Sequence, residues 1–516
     1  MVRREHIFVV ENIKLITDFL DISVDKYPNK TGFVDENGSN TFSEFRDKAY
    51  LVASEIINKK LEKSPIAIYL SKSIDSLITA LGVVYSNCFY TFLDDEMPMS
   101  RVKSITNVLE PKLIITDEKH VDKIRELNIP FATLEEIYNG FTNIEGIFLC
   151  KRKAIDTDIV YVLFTSGSTG VPKGVVVSHI NIITYMKWSK EAFGFDETTI
   201  FGNQTPFYFS MSVLDIFQTL YCSAELVIIP KKLFSFPVEL LEYLNQKRIN
   251  TIYWVPSALC HVANMGALEL KKSNELRTIL FAGEVMPSKQ LNIWRKYIPN
   301  ASYANLFGPT EVTDICTYYI LNRPLMDNES VPIGYSCDNM NIMVIDEFGK
   351  PANRNQIGEM YVRGSSVAYG YYNNPSKTSE RFVQNPLNDK YPEIVYKTGD
   401  LVYFNDKNEL IYVSRNDFQI KHMGYRIELG EIETNVSSLD GISRNCCLYD
   451  FDKSMIVLFY TGDLDESILR KKIKGLLPKY MIPNRCIKLE NMPLNLNGKI
   501  DKLFLQKYLK GDDKYE

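Results

Sequence analysis

Residues Tyr161–Gly174 read YVLFTSGSTGVPKG, a short apolar strand running into a loop of hydroxyls and glycines that ends on Lys173 and Gly174. A strand such as 159–164 delivers its loop to the carboxyl edge of a sheet, where open α/β folds bind ligands. The loop offers the hydroxyls of Thr165, Ser166, Ser168 and Thr169, with backbone N–H groups left uncovered at Gly167 and Gly170. Glycine has no Cβ and takes positive φ, so the backbone can approach a phosphate closely. Lys173 adds a positive point charge, and together these groups suit a polyphosphate. The pattern is not GxxxxGK[ST], because Pro172 precedes the lysine and Gly174 follows it. A plain surface connection between strand and helix is the competing expectation, and the density of hydroxyls and glycines weighs against it.

Around this stretch the chain has 516 residues, enough for two to four domains with ample core. Hydrophobic content of 45% and charged content of 24% are those of an ordinary globular protein. A net charge of −5 gives no reason to expect nucleic acid or an anionic membrane as partner. The opening MVRREHIFVVENIKLITDFL is interrupted by Glu11, Asn12, Lys14 and Asp18, so it reads as an amphipathic helix and not as a secretory segment. No apolar run approaches the roughly 20 residues of a membrane span. The nine cysteines are scattered without metal or disulfide spacing, and a reducing cytoplasm is the expected compartment.

Strand-like and helix-like segments alternate through the first part: 66–70 then 74–85, 113–116, 226–229 then 237–246, 251–255 and 278–281. Short β runs separated by helices indicate parallel sheets with helices on their faces. After Val331 come short strands at 342–345, 359–363, 395–396, 401–404 and 409–413, joined by Gly, Asn, Asp and Pro turns. The predicted architecture is α/β. A large domain over 1–415 would hold two parallel-type sheets to about residue 330 and a small antiparallel β subdomain over about 331–415, and a smaller α+β domain would follow over 416–516.

Five further segments share the polar, glycine-bearing character of the first: NLFGPTEVT (305–313), GEMYVRG (358–364), YKTGDL (396–401), RNDFQIKHMGYRIELGEIE (415–433) and PLNLNGK (493–499). Any one of them suits a loop or cap, but in this order the six resemble the adenylate-forming superfamily. Adenylation domains of nonribosomal peptide synthetases, D-alanine–carrier protein ligase, acyl-CoA synthetases and firefly luciferase belong to that superfamily. The resemblance covers nearly the whole chain and implies two steps. A carboxylate attacks the α-phosphate of ATP to give an acyl-adenylate and pyrophosphate; a thiol then attacks the adenylate and releases AMP.

By the same resemblance, Thr165, Ser166, Gly167, Ser168, Thr169 and Lys173 would hold the departing β- and γ-phosphates. Thr310 would meet the α-phosphate and Glu311 would bind Mg²⁺, a hard cation suited to a carboxylate. Phe307 would stack on adenine, with Leu306 and Gly308 beside it, Asn305 offering its amide to the base edge and Gly283–Glu284 on the other side. Asp400 would accept the ribose hydroxyls with Arg415 in support. Lys499 would bridge the attacking carboxylate and the α-phosphate, a role suited to a compact three-donor charge. Because Lys499 lies on the smaller domain, the thiol's approach implies that this domain turns about a hinge at Asp417 and brings the face with Lys421 and Gly424 to the site. Ser414 and Met423 stand where the family usually has Gly and Arg.

The acid pocket, by matching motifs, would be Phe209, Ser210, Met211, Leu214, Tyr253, Leu280, Ala282, Leu306, Asp314 and Ile315. Amino-acid-activating relatives place an Asp at the position of Ser210 to grip the α-ammonium. A hydroxyl cannot neutralise a buried ammonium, which costs several kcal/mol unpaired. A small hydroxy or amino acid with its polar group on Ser210 or Asp314 is therefore expected; Asp314 turned to solvent or to an Arg is the alternative. The spellings FGPTE, YKTGDL and NGKID favour a carrier protein's phosphopantetheine thiol as acceptor. No attachment-serine motif is present and few residues follow Lys499, so the carrier is expected to be a separate protein; free CoA is the alternative acceptor. The run Arg470-Lys471-Lys472-Ile473-Lys474 suits an acidic carrier or, more simply, a solvated helix face. A reductase would need a nicotinamide-binding GxGxxG after a strand, and none occurs.

Overall fold

Four consecutive buried residues, Leu113–Thr116, form a strand because β-branched side chains covered on both faces fit a parallel sheet. Each such Ile or Leu contributes about 1.5–3 kcal/mol on burial. The structure is a computed structural model that describes residues 13–167, 170–416, 419–494 and 500–510. The strand belongs to a six-stranded sheet ordered Phe131–Thr133, Leu113–Thr116, Pro65–Tyr69, Phe89–Leu93, Ile159–Thr165, Lys173–Ser178, in which the last pair is antiparallel. A second sheet has nine strands. Its parallel centre runs Ser302–Phe307, Thr278–Phe281, Thr251–Trp254, Ile200–Asn203, Glu225–Ile228, Thr31–Val34, with antiparallel strands at both edges.

Helices start where sequence chemistry caps them. Thr41 accepts the N–H of Glu44 at 3.2 Å while the Glu44 carboxylate accepts that of Thr41 at 2.8 Å, opening Phe42–Asn58. This helix packs on Ile74–Tyr85, where Gly82 permits the approach: a Cβ there would lie 2.5 Å from Val52 Cβ. One continuous core joins both sheets, through residues such as Tyr161, Leu163, Tyr253 and Leu306, to the third sheet at Met360, Val362 and Tyr396.

That third sheet is the expected antiparallel unit, with one correction. Segments 395–396 and 401–404 are one strand, Ile394–Phe404, so YKTGDL lies inside it. Gly399 at φ +80° and the bulge between Leu401 and Val402 bend the strand without ending it. Beyond residue 416, the hairpin Gln419–His422/Tyr425–Glu428 and a three-stranded sheet form two clusters of their own. On Glu466–Lys474, Leu469 and Ile473 are buried while Lys471, Lys472 and Lys474 are exposed, so the basic run has a solvated face. Residues 1–12 of the amphipathic opening lie outside the described residues, and a helix runs over Ile16–Lys26. Among the described residues no helix is long and apolar enough to cross a membrane.

Candidate functional site

The carboxyl ends of strands from both large sheets converge on one cleft, at Thr165, Gly283, Gly308 and, from the antiparallel sheet, Asp400. The strand Ile159–Thr165 does not lead into a helix, as the competing expectation of a strand–helix connection had it; it turns back into Lys173–Ser178. Inside the turn the Gly170 N–H donates to Gly167 O at 2.9 Å. A Cβ on Gly167 would lie 2.0 Å from the Val171 carbonyl oxygen, so only glycine fits. Ser168 and Thr169 lie outside the described residues, as do Asp417 and Lys499.

Opposite the loop, the turn Thr310–Val312 presents Thr310 and Glu311. Glu311 is fully buried and accepts from Tyr371 Oη and Arg426 Nη1, both at 2.6 Å. Burial opposes its charge, but Arg426 and Lys173 outweigh that and hold the carboxyl at about 2. Asp400 pairs with Arg415 at 2.7 Å, and the same guanidinium donates to Thr398 O at 3.0 Å. Two residues expected at the base also have partners in the fold. The Asn305 side-chain amide donates one N–H to Pro332 O at 2.8 Å, which fixes its orientation. Glu284 accepts the Ser257 N–H at 2.8 Å, satisfying a donor at the start of the helix Pro256–Asn264, which leaves Gly283 as the cleft-lining residue of that pair.

Phe209, Ser210, Met211, Ala282 and Asp314 line the inner end of the cleft. Leu214, Leu280, Leu306 and Ile315, expected beside them, are buried in the core behind, because packing closes over their side chains. Asp314 faces neither solvent nor an arginine. Its Oδ2 accepts from Tyr185 Oη at 2.9 Å and Tyr253 Oη at 3.0 Å, with the Ser210 hydroxyl nearby. Burial pushes this carboxyl up to about 7 against those hydrogen bonds. Ser210 Oγ lies 3.3 Å from Thr310 Oγ1, which links the inner end to the Thr310 turn.

The hairpin 419–428 occupies the outer part. Lys421 is buried with its ammonium 4.3 Å from the Phe307 ring centroid, and burial lowers its pKa. Arg426 takes Glu311; Glu428 Oε1 lies 3.4 Å from Lys173 Nζ; Glu431, paired with Arg101, accepts the Gly167 N–H at 3.1 Å. Ser166 Oγ donates to Arg426 O at 2.8 Å and accepts the Glu428 N–H at 3.1 Å. Gly424 permits a close approach to the large domain: a Cβ there would be 2.4 Å from Val255 Cγ1. Met423 points out, 58% exposed. The motifs did not single out Arg101, Tyr185, Arg426, Glu428 or Glu431. Arg426 and Glu428 carried a signal, since residues two apart on a strand share a face; Tyr185, within a helix, carried none.

Residues 20–372 match the family described as AMP-binding enzyme. The chain is 30% identical over 515 residues to zwittermicin A synthase ZmaJ of Bacillus cereus, covering 97% of this chain and 96% of that protein. It is 29% identical over 500 residues to the D-alanine–D-alanyl carrier protein ligase of Bacillus cytotoxicus, covering 92% and 95%. Among solved structures it superposes on the Vibrio cholerae adenylation domain AlmE in complex with glycyl-adenosine-5'-phosphate, with TM-score 0.82 and 20% identity over 96% of this chain and 98% of that one.

Proposed function

Because this chain belongs to the AMP-binding enzyme family and is an adenylate-forming enzyme, we propose that it activates a small amino or hydroxy acid as its acyl-adenylate and transfers the acyl group to the phosphopantetheine thiol of a carrier protein. The observation that supports this most is the convergence of Thr310 and the Asp400–Arg415 pair on one cleft whose inner end is an apolar pocket carrying Ser210 and Asp314, with Glu311 and Lys173 held beside it through Arg426 and Glu428. In the first step a carboxylate oxygen bonds to the α-phosphorus and the bond to the β-phosphate bridge oxygen breaks. Lys173 and the N–H groups of the loop stabilise the pyrophosphate that leaves, Thr310 meets the α-phosphate, and Asp400 with Arg415 orients the ribose. In the second step the thiolate sulfur bonds to the acyl carbon and AMP departs.

Glu311 suits Mg²⁺: it is an ionised oxygen ligand in a place already built for a positive charge, now supplied by Arg426. When bound there, the metal neutralises charge on phosphate oxygens. The hairpin pairs Glu311 with a cation, Lys173 with a carboxylate and the Gly167 N–H with another. It therefore uses the groups assigned to magnesium and pyrophosphate, and the two occupants exclude one another. We assign the docked hairpin to thioester formation and place Lys499 at the site for adenylation, with residues from 416 turning about Asp417.

ATP–pyrophosphate exchange tests the first step. Lys499→Ala is expected to lower the acid-dependent rate at least about 100-fold, or about 2.7 kcal/mol; exchange at the full rate removes Lys499 from the mechanism. Gly167→Ala is expected to raise KM for ATP about tenfold, since the new Cβ displaces the Val171 carbonyl from its place in the loop. An unchanged KM for ATP would take this loop out of the phosphate site. Transfer of label to carrier protein against free CoA decides the acceptor: AMP release driven only by CoA would favour an acyl-CoA synthetase.

A further inference from the structure

We propose that Asp314, held by the hydroxyls of Tyr185 and Tyr253, receives a substrate ammonium, and that the acid carries its amine on a carbon beyond the α-carbon. The inference rests on the adenylation reading of the cleft and deepens it. Three observations bear on it. Tyr185 comes from the helix His179–Phe193 and Tyr253 from the strand Thr251–Trp254; both are buried and both donate to the same oxygen, Oδ2, leaving Oδ1 for other donors. Asp314 makes no ion pair among the described residues, although its side chain is buried and lines the cleft. Its backbone sits at φ +94°, a region that costs a non-glycine residue about 1–3 kcal/mol. Lys421 of the hairpin acts on this carboxylate only through space and is withdrawn with the hairpin in the first step, so a buried, strained carboxylate whose hydrogen-bond donors are neutral is left without a paired cation.

Position then fixes the class of acid. Thr310, at the α-phosphate in this reading, is 3.3 Å from Ser210, and Ser210 and Asp314 line the same inner end of the cleft, the Ser210 hydroxyl near enough to act on the carboxyl. The carboxylate of Asp314 thus lies past Ser210 as seen from the Thr310 hydroxyl. An α-ammonium, on the carboxyl-bearing carbon itself, would stop near Ser210 and leave both charges unpaired. An ammonium on the β- or γ-carbon reaches Asp314, while Ser210 offers its hydroxyl alongside.

The test is exchange by the full chain with glycine, alanine, 3-aminopropanoate, 3-aminobutanoate, 4-aminobutanoate, 3-hydroxybutanoate and butanoate. A β- or γ-amino acid is expected to exceed every α-amino and amine-free acid at least about tenfold in kcat/KM. Asp314→Asn, close in shape, should raise KM for that acid at least about 100-fold with KM for ATP unchanged. Tyr185 is a positioning residue: Tyr185→Phe should raise the acid's KM about tenfold while kcat at saturation and KM for ATP stay within about twofold. A merely structural role would instead lower kcat and the melting temperature together. Best exchange with an α-amino or amine-free acid overturns the inference and leaves the adenylation reading standing, as does an Asp314→Asn variant of normal KM. If Asp314→Asn fails to fold, Tyr185→Phe and the acid panel decide alone. Exchange with no acid in the panel overturns both.

Discussion

Replacing Gly424 by valine is expected to lower thioester formation at least about 100-fold while ATP–pyrophosphate exchange stays within about threefold of wild type. Gly424 is at φ +80° in the turn of the hairpin 419–428. An L-residue there costs about 1–2 kcal/mol in backbone strain alone. Its Cβ would in addition lie 2.4 Å from Val255 Cγ1, in a part of the large α/β core that cannot yield. The clash falls on the docked hairpin alone, and displacing it is what must cost the about 2.7 kcal/mol that a 100-fold loss of docking requires. Only the strain persists when the hairpin is withdrawn, as the first step demands. Acyl transfer to a carrier protein and exchange, measured on one preparation, check this; equal losses in both would disprove that docking belongs to the second step.

The second large effect concerns Glu311→Gln, which should reduce exchange at least about 100-fold. A neutral amide removes the charge that suits Mg²⁺, and losing several kcal/mol of charge stabilisation at the phosphates has that size. Unlike Gly424→Val, it should also harm transfer. In the docked arrangement Arg426 loses its carboxylate partner, and breaking a buried pair costs about 3–5 kcal/mol. Raising Mg²⁺ should recover part of the exchange and none of the transfer. Exchange within about threefold of wild type would take Glu311 out of the metal site.

Much of this site was legible because its chemistry is local. Thr165, Lys173, Thr310, Glu311 and Asp400 sit in or beside short polar segments at or near strand ends, and the resemblance of those segments to the family's motifs is what marked them out. Both large sheets were legible for a similar reason: buried strands such as Leu113–Thr116 are written as apolar runs. The misses have a common cause. YKTGDL looked like a turn, yet backbone pairing carries it through a strand, since Gly399 and a bulge absorb the bend. Asn305 and Glu284 were expected beside a ligand, and the sequence did not show that each also ties to the fold, at Pro332 O and the Ser257 N–H.

The sequence by itself determined the α/β class, the order of its segments and the kinds of group brought to the cleft. Each of these depends on residue type and short-range periodicity, which a single chain displays directly. Tertiary structure alone decided which charges meet. Tyr185 and Asp314 are 129 residues apart, Arg426 and Glu311 115, and Glu428 and Ser166 262. Such pairings depend on how sheets, helix and hairpin pack, and in the low-dielectric interior a few ångströms separate a paired charge from an unpaired one.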